Sequence, residues 1–121
     1  MENLDIIAPK ELNDLAEAEA KKLAGYIKTH QLRNFFAAVS SMRSAYRQKK
    51  KYDDDIEMKL IMLKPKLAYA AGRQSKMRTS FYPFMKGAID AVENSTNKDI
   101  AIKNFFALME SVIAYHKFHE N

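Results

Sequence analysis

The sequence contains no cysteine, and its three glycines and three prolines make up about 5% of 121 residues, against an average near 12%. The first absence removes disulfide frameworks, thiolate catalysis and cysteine zinc sites, and it fits a reducing compartment. The second disfavours a β-sandwich or barrel, which needs many tight turns. No apolar run approaches 18 residues, so a membrane span is not expected. The acidic start, Met1 to Asp5, lacks the apolar stretch of a signal peptide. These absences predict a soluble, cytoplasmic protein. Nucleophile elbows, P-loops and glycine-rich dinucleotide turns are also missing.

What is present is helix-forming. Ala, Leu, Met, Glu, Lys, Arg and Gln account for 63 of the 121 residues, and these are the strongest helix formers. The length fits one domain. The expectation is an all-α, single compact bundle of about five helices spanning residues 1–121, with residues 1–8 as a flexible arm.

Apolar spacing sets the helices. The first runs from Pro9 to about Lys28 on a stripe of Leu12, Leu15, Ala16, Leu23, Tyr26 and Ile27. Glu19 interrupts that stripe, as a rim residue or paired with a base such as Arg43. The second spans about 31–50 on Leu32, Phe35, Phe36, Val39, Met42 and Tyr46. The third runs from Ile56 to Ala71, kinked or split near Pro65, with Ile56, Leu60, Leu63 and Leu67 inward. Met58, Met62 and Tyr69 form a second apolar line on its far face. That line fits either a central helix or a docking surface for another subunit. The fourth runs from about Lys76 to Val92, with a kink at Pro83 or a true start nearer Tyr82. The fifth runs from about Asn97 to Phe118, with His116 on its apolar face.

The net charge of +5 is unevenly spread. Residues 31–51 and 64–86 each carry six bases and no acid. Such blocks are solvated helix faces or a polyanion surface. Mixed signs would serve solubility as well, so the missing acids favour the polyanion. Arg33, Ser40, Arg47 and Lys51 align on one flank of the second helix. Arg33 and Arg47 are about 21 Å apart along it, enough to follow several phosphates. Aromatics interleave with the bases, and stacking on them is one way to hold single strands. Most of these rings lie on core faces; Tyr69 is the exception.

Little points to catalysis. Asp53, Asp54 and Asp55 suit Mg²⁺, but they also suit a helix N-cap and first turn. Cleavage by a metal-dependent nuclease would need the first role. His116 and His119 sit at a helix end, where the dipole favours them, and no acid or histidine cluster beside them completes a metal site. Glu110 is a lone carboxylate, with Lys103 and Lys117 one to two turns away. No metal and no cofactor is expected.

Three segments together carry a family resemblance. They are Gln31-Leu32-Arg33-Asn34-Phe35-Phe36, Leu63-Lys64-Pro65-Lys66-Leu67-Ala68-Tyr69-Ala70-Ala71-Gly72-Arg73, and the aromatic run from Phe105 to Phe118. Their order and spacing resemble the small helical subunit of type III-A CRISPR effector (Csm) complexes; the related type III-B small subunit has a similar role. The resemblance covers residues 31–118, and the first 30 residues carry no signature. It implies a non-catalytic subunit in antiviral defence, stacked in several copies beside the backbone subunits. It would face guide RNA and target RNA and touch the large, palm-containing subunit. The matched runs carry Arg33, Lys64, Lys66, Tyr69 and Arg73 as RNA-binding positions. Charge and helical phase add Arg43, Arg47, Lys49, Lys50, Lys51 and Arg78. Met58, Met62 and Tyr69 are the candidate subunit contact. The rival reading is a helical scaffold whose basic faces meet acidic protein.

Overall fold

The helices begin where the sequence offers partners for their free N–H groups. Pro9 opens α1 (Pro9–Ala24), where its missing N–H costs nothing. At the start of α2 (Thr29–Lys49), the Gln31 side chain accepts the Lys28 N–H at 2.7 Å. Asp53 caps α3 (Asp54–Ala71) by accepting the Ile56 N–H at 2.9 Å. Asn97 caps α5 (Lys98–His119) through the Ile100 N–H at 3.0 Å. The computed structural model describes residues 1–72 and 74–120. Among these there is no strand, and no helix is long and apolar enough to cross a membrane.

Two prolines test the helical reading. Pro65 sits exposed inside α3 and removes one hydrogen bond without ending the helix. Pro83 acts differently. An α-helix through residues 77–83 would press its ring against the Thr79 carbonyl. The chain instead makes one π turn, Met77–Phe81, with the Tyr82 N–H donating to the Met77 carbonyl. The fourth helix, α4 (Tyr82–Glu93), starts there. Of the two forms expected near Pro83, the start at Tyr82 is the one present.

The core follows the expected faces. α5 packs on α1, α2 and α4, and α3 packs on α2 and α4. Phe81 and Phe105 are fully buried, each such ring stabilising the fold by about 1.5–3 kcal/mol. Phe81 meets Phe35 edge to face at 5.6 Å, joining the π turn to α2. Ile56, Leu60, Leu63 and Leu67 all point inward along α3.

Three expectations need correction. Residues 1–8 are a seated segment, not a flexible arm. Leu4 and Ile7 are buried. The Leu4 N–H donates to the Ala91 carbonyl at 3.2 Å, and Asn104 donates to the Leu4 carbonyl at 2.7 Å. Asp5 accepts the Thr96 and Asn97 N–H groups, each at 3.0 Å. The first helix also ends at Ala24, before Tyr26, which is exposed beneath the Lys76 ammonium. Finally, Glu19 does not pair with Arg43. It is buried and accepts the Ser80 hydroxyl at 2.8 Å, and burial raises its carboxyl pKa.

Candidate nucleic-acid interface

α2 is fastened to α5 at both ends, and this fixes where its bases stand. At one end the Tyr46 hydroxyl donates to Asp99 at 2.9 Å, and the Tyr52 N–H donates to the same oxygen at 2.8 Å. Burial first, and this bond second, push the Tyr46 phenol up to about 12. At the other end the Glu120 carboxylate accepts the Thr29 N–H at 2.8 Å and the Thr29 hydroxyl. Those two bonds hold its pKa below the ordinary value. An acid at the positive end of α2 is favoured there. Beside it His116 is buried, with Nε2 2.6 Å from the Ile27 carbonyl and Nδ1 3.2 Å from the Thr29 hydroxyl. Both ring nitrogens are thus used in closing the bundle. His119 lies 3.3 Å from Glu17 on α1.

The candidate bases divide into two groups. Arg43 is paired with Glu110 across the α2–α5 seam. Lys49 contacts Asp53 at 3.2 Å and Asp55 at 2.7 Å. Lys64 is paired with Asp90 of α4 at 2.7 Å. Arg33, Arg47, Lys50, Lys51, Lys66 and Arg78 are exposed and have no ion-pair partner among the described residues. Lys50 adopts a left-handed backbone (φ 55°) at the end of α2, turning the chain so that it and Lys51 stand beyond the helix. Arg73 lies outside the described residues.

The aspartate run has structural employment. Asp53 caps α3, and Asp55 lies 2.7 Å from Lys49 and 2.6 Å from Lys59. These lysines hold its carboxyl down to about 2. No group of three or more His, Asp or Glu side chains is arranged to hold a metal among the described residues.

The second apolar line of α3 lies outside the core. Tyr69 is 91% exposed, Met58 60% and Met62 40%. With Ala38, Ser41 and Met42 of α2 they border an open groove of about 640 Å³, with Lys59 and Lys66 at its rim. α3 is therefore not a central helix.

The sequence reading missed two features here. The Arg43–Glu110 pair joins residues on different helices, and no local spacing announces it. Lys103 shares a cleft with Arg47 on the outer side of the α2–α5 seam. Its presence on the last helix, outside both acid-free blocks, hid it.

The Csm2 Type III-A family model matches residues 7–121. No curated protein and no solved structure gives a match. The match extends the earlier resemblance upstream through α1. This chain belongs to the Csm2 Type III-A family, the small subunit of type III-A CRISPR effector complexes.

Proposed function

We propose that this subunit is a non-catalytic, RNA-binding element of its ribonucleoprotein in the cytoplasm. It holds guide RNA and target RNA by phosphate contact and stacks in several copies beside the backbone and large subunits. The carrying observation is the set of unpaired bases on α2 and at its exit. Arg33, Arg47, Lys50 and Lys51 stand clear of every described acid, and Lys66, Arg78 and the exposed Tyr69 ring extend the candidate surface onto the second basic block. Phosphate contacts position a strand without reading bases, so sequence choice falls to guide–target pairing.

Copies meet, in this reading, through Met58, Met62 and Tyr69. Apolar side chains withdrawn from water at such a contact stabilise it by about 1.5–3 kcal/mol each before association costs. Met62→Glu should leave the monomer folded, because Met62 is partly exposed, and should shorten the row of subunits in assembled complexes. Native mass spectrometry of reconstituted complexes reads that length. An undiminished row carrying the variant removes this contact from the account.

The RNA assignment is tested on the isolated chain by fluorescence anisotropy with a labelled 20-nucleotide uridine strand across 50–200 mM KCl. Binding that weakens steadily with salt supports it. Absence of binding at 50 mM turns the basic faces into docking surfaces for acidic protein. Purified protein should leave the RNA uncut with Mg²⁺ present; cleavage lost on mutating Asp53, Asp54 and Asp55 would overturn the non-catalytic assignment.

A further inference from the structure

The unpaired bases of α2 face a second row that belongs to neither acid-free block. α2 and α5 are antiparallel, with Tyr46 bonded to Asp99 at one end and Thr29 to Glu120 at the other. That register sets Arg47 beside Lys103, and the two line one cleft together with Phe106 and Ala107. The same register sets Arg33 toward the level of Lys117. Arg33 to Arg47 and Lys103 to Lys117 are equal intervals, each about 21 Å along its helix. Lys103 and Lys117 are exposed and have no ion-pair partner among the described residues.

Between the rows the seam is lined by Phe36, Ser40, Arg43, Phe106, Glu110 and Ile113, and along the rows stand the short, exposed Ala37 and Ser44 of α2 and Ala107 and Ala114 of α5. Side chains this short let a bulky polymer come close. The acid on this stretch of α5 is Glu110, and it is engaged with Arg43. That pair is partly solvated, with Arg43 29% and Glu110 56% exposed, and a solvated pair is easily exchanged. A phosphate presents the same planar fork of acceptors to a guanidinium as a carboxylate does.

We propose that the α2–α5 face is a two-walled seat for the sugar–phosphate backbone of RNA. Lys103 and Lys117 form the wall opposite Arg33 and Arg47, and Glu110 competes with phosphate for Arg43. The proposal rests on the RNA-binding reading above and adds to it the α5 wall and a built-in competitor. A competitor of this kind weakens a long-lived grip without removing the cation that makes it.

The experiment uses the full chain and the labelled uridine 20-mer, with log K followed from 50 to 200 mM KCl and melting curves taken on every variant. Lys103→Ala with Lys117→Ala should flatten the salt dependence by about 1.4, two single-strand contacts at about 0.7 each. Glu110→Gln should steepen it by about 0.7, so that about 2.5-fold more affinity is lost over that range. In an Arg43→Ala background, Glu110→Gln should change nothing. If Arg33→Ala with Arg47→Ala flattens the slope while the lysine pair leaves it intact, the α5 wall is wrong although RNA binding stands. If Glu110→Gln acts equally with and without Arg43, its effect is general charge and the competitor role is overturned. If the unaltered chain binds no RNA, the underlying reading fails and this one with it.

Discussion

The two acid-free blocks look alike in the sequence and differ in the fold. The first, residues 31–51, is one regular helix as far as Lys49 and then its exit, with unpaired bases near both ends. Of its six bases, Arg43 and Lys49 are held by acids, and Arg33, Arg47, Lys50 and Lys51 are left facing water. The second, residues 64–86, is broken across a helix end, a π turn and a new helix. Lys64 is held by Asp90, and Lys76 lies 4.8 Å over the Tyr26 ring. Absence of acids along the chain is thus not absence of acids in space. Asp90 and Glu110 come from the acidic C-terminal third and discharge bases in both blocks.

The largest effect separating the blocks should come from aromatics. Phe81, in the π turn, is fully buried against Phe35 and Phe36. Phe81→Ala should cost about 3–5 kcal/mol in chemical denaturation. Tyr69→Ala, in the same block, should stay within about 0.5 kcal/mol. Equal losses would mean that the second block is structural throughout, with no surface left to bind anything.

Next in size is the charge effect. Replacing Arg33, Arg47 and Lys51 by Ala should reduce the salt slope of RNA binding by about 2.1–2.7, at about 0.7–0.9 per contact. Lys64→Ala should leave that slope where it is, because Asp90 already satisfies Lys64. Its stability cost should stay below about 1 kcal/mol, since the pair is partly exposed. A flattened slope in Lys64→Ala would show that RNA displaces Asp90, and would erase the contrast between the blocks.

The smallest effect concerns pH. Burial raises the Glu19 carboxyl above its ordinary value of 4.5. A raised folded pKa favours the folded state below the unfolded value, and that advantage is lost as pH rises through the folded one. Glu19→Gln removes this dependence while keeping an acceptor for Ser80. Its melting temperature should therefore gain slightly on the parent protein between pH 5 and 8, with the gap narrowing toward acid. A gap that widens toward acid would mean the carboxylate is favoured by its surroundings, contrary to its burial.

Much of the fold was legible because it depends on spacing. The inward faces of α2, α3 and α5 follow from one apolar side chain per turn, and Asp53 and Asn97 announce two helix starts. The outward line of Met58, Met62 and Tyr69 was readable by the same phase, although phase alone left a central helix open. Residues 1–8 escaped because Leu4, Asp5 and Ile7 are too few to show a period; their partners, Ala91, Thr96, Asn97 and Asn104, lie about 90 to 100 positions away. The π turn escaped because nothing before Pro83 says how the chain will avoid its ring. At the candidate interface, phase put Arg33 and Arg47 on one exposed flank of α2. It had no means of telling that Glu110 would reach Arg43, because that requires the register of two helices.

The pairing of α1 with α5 has a consequence for how the protein is made. The first helix has its broadest partner in the last one. At about 5–20 residues per second of synthesis, α1 waits several seconds outside the ribosome before α5 emerges. During that interval Leu12, Ala16 and Leu23, all buried in the finished protein, have most of their partners still missing. A message truncated just before residue 98 would therefore yield four helices and no closed core, and its product is a natural target for chaperones and proteases rather than a shortened working subunit.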